Sequence, residues 1–145
     1  MARSILFVCL GNICRSPLAE GIARKVATEK GLDIRIDSCG TGDWHVGETP
    51  CDDSIRVAKE HGLDISSQHA RQITVDDLVK FEQIIVLDDN NLRDLKAMGA
   101  TNVTKLGFYG YNNEDVPDPY FFPGYEGFNK VYTMIEVCVK KLLKA

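Results

Sequence analysis

Short apolar segments alternate with helical patterns along this chain of 145 residues, and no other feature of the sequence limits the fold as strongly. The first segment, residues 4–8, reads SILFV and is typical of a strand buried on both faces of a parallel sheet. Residues 34–38 and 83–87 predict further strands, and residues 103–106 predict a weaker one. The alternation predicts an α/β fold, a single-domain four-stranded parallel sheet with helices on both faces that spans residues 1–145.

The predicted helices have local start signals and apolar stripes. Ser16, followed by proline, is expected to cap the first helix, and Glu20 is expected to favour its dipole. Further helices are predicted at about residues 52–61 and 91–98. The last helix has the clearest apolar stripe, at Phe128, Val131, Ile135, Cys138 and Leu142.

Composition excludes several classes of protein. Apolar residues make up 44% and charged residues 26%, which is ordinary for a globular domain and excludes disordered and collagen-like chains. The net charge of −4 argues against nucleic acid as a general partner. No segment approaches the ~20 apolar residues of a membrane span, and the first residues show no export signal. We therefore expect a cytoplasmic protein with no membrane partner.

The cysteines suggest reactivity rather than a structural framework. They stand at positions 9, 14, 39, 51 and 138, an odd number without CxxC pairs, which is unsuitable for a disulfide framework or a zinc site. The three histidines are also scattered, so we expect no metal and no other cofactor. Cys39, Cys51 and Cys138 are predicted to be structural.

Residues 9–16, CLGNICRS, join the first strand to the first helix, and ligands of such folds bind at this end of the sheet. Successive backbone N–H groups and the helix N-terminus would cradle an oxyanion. Arg15 would offer a bidentate fork to it, and Cys9 would be stabilised as a thiolate nucleophile. Gly11 and Asn12 tolerate the left-handed backbone that such a loop needs. The predicted phosphate-binding residues are Leu10, Gly11, Asn12, Ile13, Cys14 and Ser16.

Residues 107–127 contain seven of the twelve aromatic residues, with four glycines and three prolines. A long aromatic loop of this kind in a small domain indicates a functional segment. Asp118 stands between two prolines, and a carboxyl group near apolar rings is suited to be a general acid. Tyr120 and Trp44 are predicted to be walls of a substrate pocket, together with Ile13.

The sequence CLGNICRSP resembles the signature of the low-molecular-weight protein tyrosine phosphatases. Four further blocks are similar in order and spacing: DS with GTGDWHVG from position 37, ARQI from 70, D with NLRDL from 88, and VPDPY from 116. The resemblance implies that phosphotyrosine and aryl phosphates are hydrolysed through a phosphocysteine, with Cys9 as nucleophile, Arg15 as oxyanion clamp and Asp118 as general acid and base. The partners would be phosphotyrosine-containing proteins, and the chain would act as a monomer or weak dimer.

Several residues keep two interpretations. Ser16 is either a plain helix cap or, as the family implies, a hydroxyl donor to the departing thiolate. Ser38 and Asp88 are expected to support the loop, although Asp88 also fits a helix cap. Cys14 either forms a reversible disulfide with Cys9, which would make the enzyme redox-sensitive, or is a packed thiol. Family members often carry histidine where this chain has Gln68.

Other activities on the same scaffold stay open. Arsenate reductases resemble this chain in the Cys-x5-Arg loop but relay electrons through two further cysteines, and residues 82–89 contain none. Phosphoarginine phosphatases tend to carry threonine where Ile13 stands. A module that only binds oxyanions or phosphopeptides would not need an intact Cys9 together with Asp118.

Overall fold

The computed structural model describes residues 3–122 and 124–144. Its sheet is formed by β1 (Arg3–Cys9), β2 (Ile34–Gly40), β3 (Gln83–Val86) and β4 (Val103–Lys105). The strands lie in the order β2-β1-β3-β4, and every pair is parallel. The predicted α/β fold with a four-stranded parallel sheet is therefore confirmed.

Helices cover both faces of the sheet. They are α1 (Arg15–Glu29), α2 (Asp52–Glu60), α3 (Asp77–Lys80), α4 (Asp89–Ala97) and α5 (Glu126–Lys144), with short 3₁₀ turns at Leu106–Phe108 and Pro119–Phe121. Alternate residues of β1 point to opposite sides, so that Ile5 and Phe7 pack with α1, α2 and α5 while Leu6 and Val8 pack with α3 and α4. All four are fully buried, which explains the unbroken apolar run at this strand.

The start of α1 differs from the prediction. The helix begins at Arg15, so Ser16 lies inside its first turn and is not the N-cap. Cys14 occupies the cap position, and its side chain makes no capping hydrogen bond. Glu20 lies in the second turn, too far along the helix for the expected effect on the dipole. Both side chains are buried and have other partners.

The chain order creates a crevice at the carboxyl ends of β1 and β3. From β1 the chain passes through α1 to β2 on one side, and then crosses to β3 on the other side. Val116 extends this edge, because its N–H donates to the carbonyl of Leu87 at 2.8 Å. The segment that carries Asp118 therefore starts beside the loop that follows β1. Among the described helices, none has the length and apolar character needed to cross a membrane.

Gly40, at the end of β2, allows that loop to approach the strand closely. A Cβ atom on Gly40 would lie 2.7 Å from the carbonyl oxygen of Leu10 and 3.1 Å from the backbone nitrogen of Asn12. These atoms are backbone and cannot move aside easily. Glycine at this position therefore sets how near the loop after β1 lies to β2.

Candidate active site

Cys9 ends β1 and is 3% exposed, with its sulfur at the bottom of the loop formed by residues 9–16. The backbone N–H of Asn12 donates to Cys9 Sγ at 3.3 Å, and Ser16 Oγ lies 2.9 Å from the same sulfur. Hydrogen-bond donors at these positions stabilise negative charge on sulfur. The loop thus places a backbone N–H and a hydroxyl group within hydrogen-bonding distance of Cys9 Sγ.

Asn12 fixes the shape of this loop. Its φ of 57° lies in the left-handed region, as predicted, whereas Gly11 does not adopt a positive φ. The amide Nδ2 donates to Ser16 Oγ at 2.8 Å and to Ser38 Oγ at 3.0 Å, and Oδ1 accepts the N–H of Arg71 at 3.1 Å. One buried side chain therefore connects the loop to α1, to β2 and to the segment after α2. Gly11 instead leaves room for His45, whose ring carbon would lie 3.1 Å from a Cβ there.

The hydrogen bonds of Asn12 also orient the hydroxyl of Ser16. Because the amide of Asn12 already donates to Ser16 Oγ, the hydroxyl hydrogen of Ser16 is free to point at Cys9 Sγ. Ser38, which receives the second amide hydrogen, donates its own hydroxyl to Glu20 Oε1 at 2.6 Å. A continuous hydrogen-bonded chain therefore runs from the buried carboxylate of Glu20 to the sulfur of Cys9.

Arg15 is 7% exposed, and its guanidinium is fixed through one of its nitrogens. Its Nη1 donates to Asp88 Oδ2 at 2.8 Å and to the carbonyl of Val116 at 2.9 Å. Burial lowers the pKa of Arg15, but Cys9 and Asp88 raise it, and the net pKa lies above the ordinary value. In the part of the chain that the structure describes, both hydrogen bonds of Arg15 come from Nη1, so Nη2 and Nε can serve an oxyanion.

Asp88 serves both of the purposes that the sequence left open. Its Oδ1 caps α4 by accepting the N–H of Asn91 at 2.9 Å, while Oδ2 pairs with Arg15. The helix cap fixes the carboxylate, and the carboxylate in turn fixes the guanidinium. Ser38 and Asp88 both lie behind the loop, where they were expected.

Asp118 lines the same pocket as Cys9 and Arg15. Its Oδ1 accepts the N–H of Tyr120 at 2.9 Å, which caps the short turn that follows. Asp115 is placed differently, since its carboxylate accepts Lys105 Nζ at 2.9 Å and the N–H of Asp89 at 3.1 Å. Of the two aspartates in residues 107–127, Asp118 lines the pocket and Asp115 is engaged in an ion pair.

The pocket has a volume of about 210 Å³ and a polar base below an apolar rim. Trp44 and Tyr120 are 68% and 60% exposed, and Ile13 also lines the pocket. Trp44 folds back over Gly42, where a side chain would overlap its ring. These rings are therefore rim residues and not part of the core. The pocket-lining residues are Cys9, Leu10, Gly11, Ile13, Cys14, Arg15, Trp44, His45, Asp118 and Tyr120.

The sequence analysis missed the supporting roles of two residues, Arg71 and Glu20. Arg71 donates to Asp37 Oδ2 from Nε and Nη2, at 3.2 and 3.0 Å, and to Asp77 Oδ2 from Nη1 at 2.9 Å. Its backbone carbonyl also accepts the N–H of Gly40 at 2.8 Å. Glu20 was predicted to act on the helix dipole, but it accepts a hydrogen bond from Ser38. Its spacing of four from Ser16 puts both residues on one face of α1 and could have indicated a role near the loop.

Gln68, at the position where relatives often have histidine, turns away from this network. Its Nε2 donates to the carbonyl of Pro17 at 3.1 Å. The hydroxyl of Ser38 is bonded to Glu20 instead. In this chain the carboxylate of Glu20 therefore accepts the hydrogen bond of the Ser38 hydroxyl, which supports the loop.

The cysteines divide into two groups. Cys39 and Cys138 are fully buried in the core, as predicted. Cys51 is only half-buried, packs against the edge of the core, and has its sulfur 2.7 Å from that of Cys14. Its structural role stays a prediction. Within residues 3–122 and 124–144, no group of three or more His, Cys, Asp or Glu side chains is arranged to hold a metal ion.

Comparison with known proteins agrees with this geometry. Residues 4–145 match the sequence profile of the family described as low molecular weight phosphotyrosine protein phosphatase. The low molecular weight protein-tyrosine-phosphatase YfkJ of Bacillus subtilis is 38% identical, over 97% of this chain and 93% of the relative. The low molecular weight phosphotyrosine protein phosphatase of Schizosaccharomyces pombe is 39% identical, over 97% of this chain and 95% of the relative.

Solved structures are similar over the same extent. The crystal structure of YfkJ superimposes with a TM-score of 0.91 at 37% identity and covers 99% of this chain and 94% of that one. The crystal structure titled as a Drosophila arginine phosphatase gives a TM-score of 0.90 at 33% identity, with 97% and 95% covered. The similarity thus extends over nearly the whole length of the chain.

Proposed function

Because this chain belongs to the low molecular weight phosphotyrosine protein phosphatase family, we propose that it hydrolyses phosphotyrosine in proteins through a phosphocysteine intermediate. The observation that carries the proposal is that Cys9, Arg15 and Asp118 line one pocket. Residues 1–145 are proposed to form a single catalytic domain. Its cytoplasmic location and its state as a monomer or weak dimer stay predictions from the sequence.

In the first step Cys9 Sγ attacks phosphorus, and the bond between phosphorus and the tyrosyl oxygen breaks. The free Nη2 and Nε atoms of Arg15 bind the equatorial oxygens together with the backbone N–H groups of residues 10–14. These donors are fixed before the substrate arrives, so they stabilise the charge of the transition state without reorganisation.

Asp118 gives its proton to the leaving tyrosyl oxygen. In the second step the same carboxylate takes a proton from water, which attacks phosphorus and releases Cys9 as a thiolate. The hydroxyl of Ser16, at 2.9 Å from Cys9 Sγ, donates to that departing sulfur. The carboxylate and the hydroxyl thus serve the two leaving groups, oxygen in the first step and sulfur in the second.

The rim supports an aryl phosphate as substrate. Trp44 and Tyr120 are exposed rings on the wall of a narrow pocket, and an aromatic ring inserted between them gains stacking or edge contacts. Ile13 adds an apolar surface to the lining of the pocket. A phosphorylated tyrosine presents its ring to the rim and its phosphate to the base.

The test compares turnover of phosphotyrosyl peptide, phosphoarginine and arsenate in the presence of EDTA. We expect hydrolysis of the phosphotyrosyl peptide and a phosphoryl label on Cys9 when labelled substrate is quenched with denaturant during turnover. Cys9→Ser should abolish hydrolysis while vanadate still binds, and Cys138→Ala, at a buried cysteine that does not line the pocket, should keep the activity. Preference for phosphoarginine, or thiol-dependent reduction of arsenate, would replace the proposed substrate. Turnover by Cys9→Ser would remove Cys9 from the mechanism.

A further inference from the structure

Cys14 and Cys51 form a pair of thiols beside the pocket that the proposed mechanism does not use. Their Sγ atoms are 2.7 Å apart, although the residues are 37 positions apart in the chain. Cys14 belongs to the loop of residues 9–16, called the phosphate loop below, and Cys51 is the residue that precedes α2. No other pair of cysteine sulfurs is in such contact in the part of the chain that the structure describes.

Backbone contacts hold the two segments together on either side of the thiols. The N–H of Cys51 donates to the carbonyl of Ile13 at 2.7 Å. The hydroxyl of Ser54, one turn into α2, donates to the carbonyl of Cys14 at 3.2 Å. Because these contacts already fix both backbones, joining the sulfurs requires little movement of the main chain.

The environment of Cys51 favours its thiolate. A hydrogen bond from the Cys14 thiol lowers the pKa of Cys51 below its ordinary value, although burial opposes this. The interactions of Cys51 with the side chain and the backbone N–H of Ser54 lower the pKa of Cys51 as well. The hydrogen bond to Cys51 and burial raise the pKa of Cys14. One sulfur of the pair is thus suited to be a nucleophile, and the other is suited to keep its proton.

Cys51 is also accessible. It is half-buried and lines a groove that shares Ile13 and Tyr120 with the pocket and is bordered by Thr49 and Pro50. Cys39 and Cys138 differ because they are fully buried, and burial raises the pKa of both thiols. A small oxidant in solution therefore reaches Cys51 more readily than either core thiol.

We propose that Cys14 and Cys51 are a peroxide-oxidisable pair that closes to a reversible disulfide at the rim of the pocket. The Cys51 thiolate attacks a peroxide oxygen, the O–O bond breaks, and Cys51 becomes a sulfenic acid while hydroxide leaves. The Cys14 thiol then displaces the sulfenic oxygen as water and forms the S–S bond. The two sulfurs together lose two electrons, which the peroxide accepts, and an added dithiol returns them.

This disulfide competes with the one that the sequence predicts between Cys9 and Cys14. Cys14 can bond to only one partner at a time, so oxidation through Cys51 withdraws Cys14 from Cys9. It also removes the hydrogen bond that the Cys51 sulfur shares with Cys14, beside Tyr120, which lines both the groove and the pocket. Oxidation of Cys51 in the groove would therefore alter Cys14, which lines the pocket.

The test uses Cys9→Ser, in which no disulfide with Cys9 can form and hydrolysis plays no part in the readout. After limited hydrogen peroxide, blocking of free thiols and proteolysis, we expect mass spectrometry to show a loss of two hydrogen atoms and a peptide pair linked through Cys14 and Cys51. Dithiothreitol should restore the reduced mass. Adding Cys51→Ser to this background should abolish the linked pair. Adding Cys14→Ser should instead leave a sulfenic acid on Cys51 that dimedone traps.

Circular dichroism of each variant before oxidation checks that it is folded, and Cys138→Ala in the Cys9→Ser background is the matched control that should still form the link. Failure of folded Cys9→Ser to lose two hydrogen atoms would overturn the proposal. Equal linkage of Cys14 or Cys51 to Cys39 or Cys138 would overturn it too, since it would indicate unfolding rather than a preformed pair. Because the readout is a mass, these outcomes are independent of whether the chain hydrolyses phosphotyrosine.

Discussion

Asp88 holds Arg15 through a single guanidinium nitrogen, with 2.8 Å between Asp88 Oδ2 and Arg15 Nη1. The carboxylate is itself held by the N–H of Asn91, so the start of α4 determines how the guanidinium is turned. Arg15 is thereby positioned by a helix that does not otherwise enter the pocket.

Replacing Asp88 with asparagine removes the charge from this contact but keeps the size of the side chain. A hydrogen bond to a charged group contributes about 1.5–3 kcal/mol, so we expect kcat/KM for an aryl phosphate to fall about ten- to a hundredfold. Steady-state kinetics with Asp94→Asn, an exposed carboxylate on the same helix, gives the control. An unchanged kcat/KM in Asp88→Asn would show that Val116 alone orients Arg15.

Asp118→Asn tests the proton transfer to the leaving group. A positioned acid contributes typically ~10²–10⁴ in rate, and we expect a loss of that size for phosphotyrosine. The loss should shrink for a dinitrophenyl phosphate, whose leaving group is already a stable anion. Because the same carboxylate also acts in the second step, the pre-steady-state burst of phenol isolates the first one.

Asp115→Asn is the matched control for that experiment. Its carboxylate pairs with Lys105 and lies outside the pocket, so it should lower thermal stability more than the burst rate. An equal loss with good and poor leaving groups in Asp118→Asn would exclude Asp118 as the acid.

Trp44→Ala should reduce the preference for aryl over alkyl phosphates several-fold, because ring contacts of this kind contribute about 0.5–1.5 kcal/mol. The ratio of kcat/KM for the two substrate classes measures the effect. Val46→Ala removes an exposed apolar side chain from the same segment without touching the pocket and should leave the ratio unchanged. Equal losses for both classes would mean that Trp44 shapes the segment but does not contact the ring.

The ion pair of Asp77 with Arg71 should make stability depend on pH in the acid range. Burial raises the pKa of Asp77, but hydrogen bonds from Arg71 and Thr74 outweigh it, and the net pKa lies below the ordinary value. A carboxyl with a lowered pKa in the folded state contributes stability above its unfolded pKa of about 3.9. That contribution is lost as the pH falls through the lower, folded-state pKa.

Asp77→Asn should therefore lower the free energy of unfolding by about 1–3 kcal/mol at neutral pH, and the difference from wild type should narrow in strong acid. Urea unfolding across a pH series measures it. Asp76→Asn alters the exposed neighbouring carboxylate and should show no comparable difference. A difference that stays constant down to strong acid would assign the loss to packing instead of charge.

The parts of the fold that sequence could predict are those determined locally. The apolar run of β1 and the helical stripe of α5 each depend on periodicity within one segment, and both predictions agree with the structure. The four-residue helix α3 was missed because it is too short to show a period. The capping role predicted for Ser16 was wrong, because a serine followed by proline is typical of a helix start although α1 already begins at Arg15.

The residues of the site also differ in whether they could be predicted from one local segment. Residues 9–16 could be predicted together because one loop supplies the nucleophile, the clamp and the phosphate donors. The brace of Arg71 on Asp37 and Asp77 and the contact of Cys51 with Cys14 join segments that are distant in the chain. No spacing rule links such positions, and only the path of the folded chain brings them together.

The amide of Asn12 gives the phosphate loop a thermodynamic property as well as a shape. By bonding to Ser16, Ser38 and Arg71, it removes the conformational freedom of the loop when the chain folds rather than when an oxyanion arrives. Association therefore requires little further loss of backbone entropy, and the binding energy of the phosphate can be expressed in the transition state instead of in ordering the protein.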